Sequence, residues 1–128
     1  MGNTPNDLPT PTTRTPADVL LVEDNFIIAL DTEDMLREIG VISVRTAKNV
    51  LDALNAITLQ PPEFCLLDVN LETEKSFIVA DRLRELAIPF AFATGYGDQL
   101  TFPPHFANAA IVAKPYAIDD LRHAIVVP

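Results

Sequence analysis

The 128-residue chain has no tryptophan, one cysteine, four glycines and two histidines. A single thiol, Cys65, excludes an intrachain disulfide and a cysteine-built zinc cage. It stands inside the apolar run Phe64-Cys65-Leu66-Leu67, so an inert core thiol is expected. Long hydrophobic stretches are missing too. Val19-Leu20-Leu21-Val22 and Phe26-Ile27-Ile28-Ala29-Leu30 are far too short to cross a bilayer. The first residues hold neither the basic segment nor the apolar stretch of a secretory leader, so a cytoplasmic protein is the expectation. Positive charge is scarce: nine Lys and Arg against eighteen Asp and Glu leave a formal net charge of −9. No basic stripe is available for nucleic acid, and adsorption to anionic membranes is disfavoured.

What is present is enough apolar material, 48% of residues, for one packed domain. Residues 1–16 stand apart, because Pro5, Pro9, Pro11 and Pro16 among threonines cannot sustain a helix. They read as a flexible tail, with the domain proper at 17–128. From there the apolar period alternates. Val19–Val22 is a strand covered on both faces, and residues 26–39 have helical spacing that Gly40 stops. Val41, Ile42 and Val44 predict the next strand, and Thr46 is a plausible N-cap for a helix carrying Val50, Leu51, Leu54 and Ile57. Phe64–Leu67 predicts a third strand, Phe77 to Ala87 a helix ending before Pro89, and Phe90–Ala93 a fourth strand. Ala110–Ala113 and the helix bearing Ile118, Leu121 and Ile125 complete the pattern. Strand–helix alternation over this length implies a flavodoxin-like, doubly wound α/β domain of five parallel strands, order 2-1-3-4-5. Pro103-Pro104 leaves little room for a regular fourth helix, so that helix is expected to be short or irregular.

In such sheets ligands bind beyond the carboxyl ends of the strands, where strand order reverses. Glu23-Asp24 closes the first strand, Asp68 the third, Thr94 the fourth and Lys114 the fifth. Three converging carboxylates repel one another unless a cation joins them, and oxygen ligands of high charge select a hard ion such as Mg²⁺. Thr94 and Lys114 are placed to meet phosphoryl oxygens. The set therefore suits phosphoryl transfer to a carboxylate nucleophile, where positioning and electrostatics do most of the catalysis. Taken singly, each residue has a plainer reading. Asp24 is equally a helix N-cap, Asp68 a helix-start acid, Thr94 a turn residue and Lys114 a solvated lysine.

The ordered set Leu20-Leu21-Val22-Glu23-Asp24-Asn25, Leu66-Leu67-Asp68-Val69-Asn70, Ala93-Thr94-Gly95 and Ala113-Lys114-Pro115-Tyr116 resembles the bacterial response-regulator receiver family over about residues 17–127. The resemblance implies that Asp68 is the phosphoacceptor. It implies that Glu23, Asp24, Asp68 and the Asn70 backbone carbonyl hold Mg²⁺. Thr94 would be the switch hydroxyl and Lys114 a phosphate contact, with a cis bond before Pro115. The donor would be a phosphohistidine on a histidine kinase or histidine phosphotransfer protein. The chain ends at Pro128, so output is expected to pass through a downstream protein partner, from a monomer or weak dimer.

Two departures from the usual pattern stand out. Ile111 occupies the position of the usual aromatic switch, and Val69-Asn70-Leu71-Glu72 replaces the usual Met-Pro after the phosphoacceptor. With Pro89-Phe90-Ala91-Phe92-Ala93-Thr94-Gly95-Tyr96, they resemble the receiver subclass named for its Phe-Ala-Thr-Gly motif (FATGUY). Residues 95–108, poorest in local signals, are the expected moving part. The competing reading is a receiver-fold interaction module that works without phosphorylation, whose mark would be loss of an acidic-site residue; none is lost. An aspartate-nucleophile hydrolase would need an acid where Asn70 stands. A flavin or nucleotide binder would need a Gly- or Ser/Thr-rich loop where Glu23-Asp24-Asn25-Phe26 stands.

Overall fold

A computed structural model describes residues 12–128. Its main sheet has five parallel strands in the order β2-β1-β3-β6-β7: β1 (Asp18–Val22), β2 (Ser43–Ala47), β3 (Phe64–Asp68), β6 (Phe90–Thr94) and β7 (Ile111–Ala113). A two-residue hairpin, β4 (Asn70–Leu71) with β5 (Glu74–Lys75), stands outside that sheet and was not foreseen. Counting the main strands alone, the order is the expected 2-1-3-4-5.

The central strands are apolar because both their faces are covered. Leu20, Val22, Cys65, Leu67 and Phe92 point to one face, where α2 (Val50–Leu59) and α3 (Phe77–Glu85) contribute Ala53, Ile57, Val79 and Leu83. Val19, Leu21, Phe64, Leu66, Ala91 and Ala93 point to the other. There α1 (Phe26–Glu38) and α4 (Ile118–Ala124) contribute Ala29, Leu36 and Leu121, and Ile125 follows. The two-residue side-chain period of a strand divides the core in this way. Cys65 lies fully inside, and burial pushes its thiol well above the ordinary range.

No fourth helix of regular form follows β6. Two short 3₁₀ turns, Asp98–Thr101 and Pro104–Phe106, take its place. The helix face that would have covered β6 is replaced by an aromatic cluster. Phe106 is fully buried, 5.4 Å from Phe92, 5.9 Å from Phe77 and 6.1 Å from Phe90 between ring centres. Phe102 lies 5.0 Å from Phe92 and 5.3 Å from Phe77, and the Arg84 guanidinium sits 4.4 Å over Phe106. So the far half of the segment 95–108 is anchored.

Three local expectations need correction. Thr46 lies within β2, where its hydroxyl donates to Glu33 at 2.7 Å; Asn49 caps α2 by accepting from the Asp52 amide. Asp24 does not cap α1; Asn25 does, accepting from the Ile28 amide at 3.0 Å. Val41 and Ile42 precede β2 instead of forming it, and Ile42 is exposed. Residues 1–11 of the expected tail lie outside the described residues. Of the rest, Arg14 exchanges both backbone hydrogen bonds with Val127, at 2.8 and 2.9 Å, and its guanidinium meets Glu63.

Gly40 ends α1 at φ +110°, a conformation that glycine adopts freely. Ala87 closes α3 at φ +56° with a side chain that opposes it. Left-handed backbone costs an L-residue about 1–2 kcal/mol, and glycine's extra chain entropy offsets part of the relief. Ala87→Gly is therefore expected to raise unfolding free energy by about 0.5–1 kcal/mol, read as a higher urea midpoint at unchanged slope. Phe106→Ala is expected to lower it by about 3–5 kcal/mol in the same titration, the cost of emptying a packed aromatic site.

Candidate functional site

β1 and β3 are neighbours, while β2 lies outside β1 and β6 outside β3. The chain leaves their carboxyl ends in opposite directions, which opens a crevice there. Glu23 and Asp24 follow β1 and Asp68 ends β3, and one oxygen from each lies within 4.8 Å of the others. Glu23 is 3% exposed and Asp68 7%. Lys114, next after β7, reaches across the sheet. Its Nζ donates to Glu23 Oε1 at 3.0 Å and lies 3.1 Å from Asp68 Oδ2. Its backbone amide donates to the Thr94 carbonyl at 2.7 Å, so β6 holds the lysine in place. The peptide between Lys114 and Pro115 is cis, as the resemblance implied.

Local backbone groups aim the carboxylates. The Asn25 amide donates to Glu23 Oε2 at 3.1 Å, and the Glu72 amide donates to Asp24 Oδ2 at 2.7 Å. The unforeseen hairpin therefore has a use, since its turn carries that Glu72 amide. Thr94, 1% exposed, has a hydroxyl with no hydrogen-bond partner; Ser76 is the other such buried side chain among the described residues. A buried unpaired hydroxyl is costly, so Thr94 holds its hydrogen-bonding capacity in reserve at the mouth of the site. Beside it is a shallow depression of about 380 Å³, lined by Thr94, Gly95, Tyr96, Gly97, Ala113 and Lys114.

Burial, and then the charge of Glu23, raise the Asp68 carboxyl from its ordinary 3.8 to about 7, against the pull of Lys114. Burial alone would lower Lys114; the charges of Asp68 and Glu23 outweigh it, so the ammonium is held above its usual range. One lysine thus leaves the three acids undercompensated. Three close oxygen donors of high charge are what a hard divalent cation such as Mg²⁺ requires, so the side chains present fit that ion.

The crevice thus joins Glu23, Asp24, Asp68, Thr94 and Lys114, all singled out from sequence. Asn70 begins β4 two residues past Asp68, with its side-chain amide donating to Asp98 Oδ1 at 2.6 Å. Sequence reasoning missed Asp98, which also accepts from the Gly95 amide at 2.6 Å. Tyr116, quoted in the motif around Lys114 without a role, has its hydroxyl 2.5 Å from the Thr32 hydroxyl on α1. Asp98 stands in a stretch without periodicity, and no local signal marks it.

A parallel doubly wound domain with an acidic crevice at the β1/β3 switch point defines a narrow class of signalling domain. The family model described as response regulator receiver domain matches residues 19–126, and the chain belongs to that family. It is similar to SdrG from Sphingomonas melonis Fr1, at 34% identity and a TM-score of 0.75, over 85% of this chain and 92% of that one. It is 30% identical over 113 residues to the transcriptional regulatory protein PdtaR of Mycobacterium tuberculosis, covering 86% of this chain and 55% of PdtaR. The chain therefore spans about half the length of that relative. It is also 25% identical over 111 residues to sporulation initiation phosphotransferase F of Bacillus subtilis, covering 84% of this chain and 89% of that protein. No helix among the described residues is long and apolar enough to cross a membrane.

The raised Asp68 pKa has a thermodynamic consequence. A carboxyl that binds its proton more tightly when folded contributes most stability at low pH, and that contribution is lost as pH rises from about 4 to about 7. In metal-free buffer the melting temperature of wild type is expected to fall relative to Asp68→Asn across that window. Added Mg²⁺ at neutral pH is expected to raise wild type more than the variant. Parallel melts of the two proteins from pH 4 to 8, with chelator and with Mg²⁺, check both outcomes.

Proposed function

We propose that this protein is a single-domain response regulator that accepts a phosphoryl group on Asp68 from a phosphohistidine. The supporting observation is the crevice itself: Asp68 sits with Glu23, Asp24 and Lys114, and the unpaired Thr94 hydroxyl is on the residue after Ala93, the β6 partner of Asp68. An Asp68 carboxylate oxygen attacks phosphorus, and the P–N bond breaks. Its electron pair returns to the imidazole nitrogen of the donor, which takes up a proton from water. Glu23, Asp24, Asp68 and the Asn70 backbone carbonyl are the groups that would hold Mg²⁺. When bound, that ion supplies the positive charge that offsets the carboxylates and an open position for a phosphoryl oxygen. Lys114 neutralises a second oxygen, and Thr94 donates its free hydroxyl to a third.

The donor is a histidine kinase or histidine phosphotransfer protein in the cytoplasm, and output passes to a protein partner as a phospho-switch, relay or sink. Matches that cover 92% of SdrG and 89% of phosphotransferase F support a receiver acting by itself. The net charge of −9 argues against nucleic acid as the target. Membership of the Phe-Ala-Thr-Gly (FATGUY) subclass is supported by Phe90–Gly95, by Ile111 at 37% exposure, and by the 3₁₀ turns in place of a helix. No ring stands at 111 to rotate, so the signal leaves Thr94 by another route.

Intact-mass spectrometry after incubation with acetyl phosphate, confirmed with a phosphorylated histidine kinase as donor, tests the reading. One added phosphoryl group is expected on wild type with Mg²⁺, and none on Asp68→Ala or in excess chelator. An unmodified wild type with both donors would leave a phosphorylation-independent interaction module as the better account.

A further inference from the structure

One side chain fixes the loop that follows β6. Asp98 accepts from the Gly95 amide through Oδ2 and from Asn70 Nδ2 through Oδ1, each at 2.6 Å. The side-chain oxygen of Asn70, Oδ1, accepts in turn from Lys75 Nζ. Gly95 follows Thr94 directly, and Asn70 stands two residues past Asp68. A single carboxylate therefore ties together the two loops that leave Asp68 and Thr94, by hydrogen bonds strengthened by its charge.

Among the described residues, no other side-chain hydrogen bond ties this stretch to the rest of the chain. Local hydrogen bonds within it include the Asp98 amide to the Gly95 carbonyl at 3.3 Å, the Leu100 amide to the Gly97 carbonyl at 3.1 Å, and the Thr101 hydroxyl to the Asp98 carbonyl at 2.8 Å. Tyr96 and Leu100 are exposed, and Gly97 has φ +82°. Anchoring resumes at Phe102, in ring contact with Phe77 and Phe92. Residues 95–101 form a short span between two fixed points, with Asp98 as its tie.

We propose that Asp98 is an autoinhibitory latch, which keeps residues 95–101 closed against Asn70 until a phosphoryl group on Asp68 repels it. The proposal rests on the phosphoacceptor reading above. Lys114 already faces both Glu23 and Asp68, so it has little charge to spare. A phosphoryl group adds about 1.5–2 negative charges to the crevice. Asp98 is the carboxylate that ties this loop pair together, and its bonds are the ones that like-charge repulsion weakens. Release frees the Gly95 amide and moves a span bearing Tyr96 and Leu100, which serves as readout where Ile111 provides no ring.

Amide hydrogen exchange of the full chain, free and with beryllofluoride and Mg²⁺ as the aspartyl-phosphate mimic, tests the latch. Exchange across 96–101 is expected to rise about tenfold or more when wild type binds the mimic, the loss of at least one charge-assisted hydrogen bond. Asp98→Ala is expected to show that fast exchange without the mimic and little further change with it, while β1, β3 and β6 stay protected. Asp98→Asn can still accept from the Gly95 amide but carries no charge. Its single carbonyl oxygen cannot also accept from Asn70 Nδ2. Exchange is therefore expected between that of free wild type and Asp98→Ala, with no further rise on adding the mimic, which a merely structural role for the side chain does not predict. A fluorine resonance from bound beryllofluoride with unaltered exchange at 96–101 in wild type overturns the latch alone. Normal slow exchange there in free Asp98→Ala does the same. Absence of that resonance overturns the phosphoacceptor reading, and the phosphoryl trigger with it.

Discussion

Mutual repulsion among Glu23, Asp24 and Asp68 is the constraint around which the rest of the molecule is arranged. Two of the three are nearly dry, and water does little to screen them from each other. The sheet holds them together regardless, because each is fixed at the end of a strand whose apolar residues are fully committed to the core. Lys114 is the cation the chain supplies, brought in from the far side of β6 by the hydrogen bond to Thr94. The arrangement is stable enough to fold and electrostatically unfinished, which is the condition a site needs if an added ion or phosphoryl group is to change it.

The second feature of note is the substitution of rings for a helix. Phe77, Phe90, Phe92, Phe102 and Phe106 seal the face of β6 with mostly edge-to-face contacts, and Arg84 closes the outer side. A rigid helix next to Thr94 would transmit a shift along its whole length. A short turn followed by an aromatic anchor confines the shift to a few residues. The core is thereby insulated from whatever happens at the site.

How much of this was legible in the sequence depended on burial. β1, β3 and β6 were plain because strands covered on both faces read as unbroken apolar runs, and the site residues were plain because they interrupt those runs. β2 is an edge strand, half exposed, with Ser43, Arg45 and Thr46 among its five residues. It leaves no apolar run to mark its start at Ser43, and Thr46 has the side chain of a cap although Asn49 supplies the cap. The hairpin of β4 and β5 is two residues a side, below the length at which alternation has any meaning. Arg14 pairs with Val127 through backbone groups alone, which side-chain patterns do not report. Asp98 acts through contacts made only after the chain has folded, so a local reading had nothing to find.

Cys65 has one further consequence. It is the only thiol in the chain and lies in the central strand, without solvent contact and with its ionisation suppressed. A thiol-reactive dye can modify it only in molecules whose sheet has come apart, since local fraying at the surface does not reach β3. The native sequence therefore carries its own chemical clock: the labelling rate counts opened molecules directly, and any ion or partner that grips the folded form slows it in proportion to how tightly it binds.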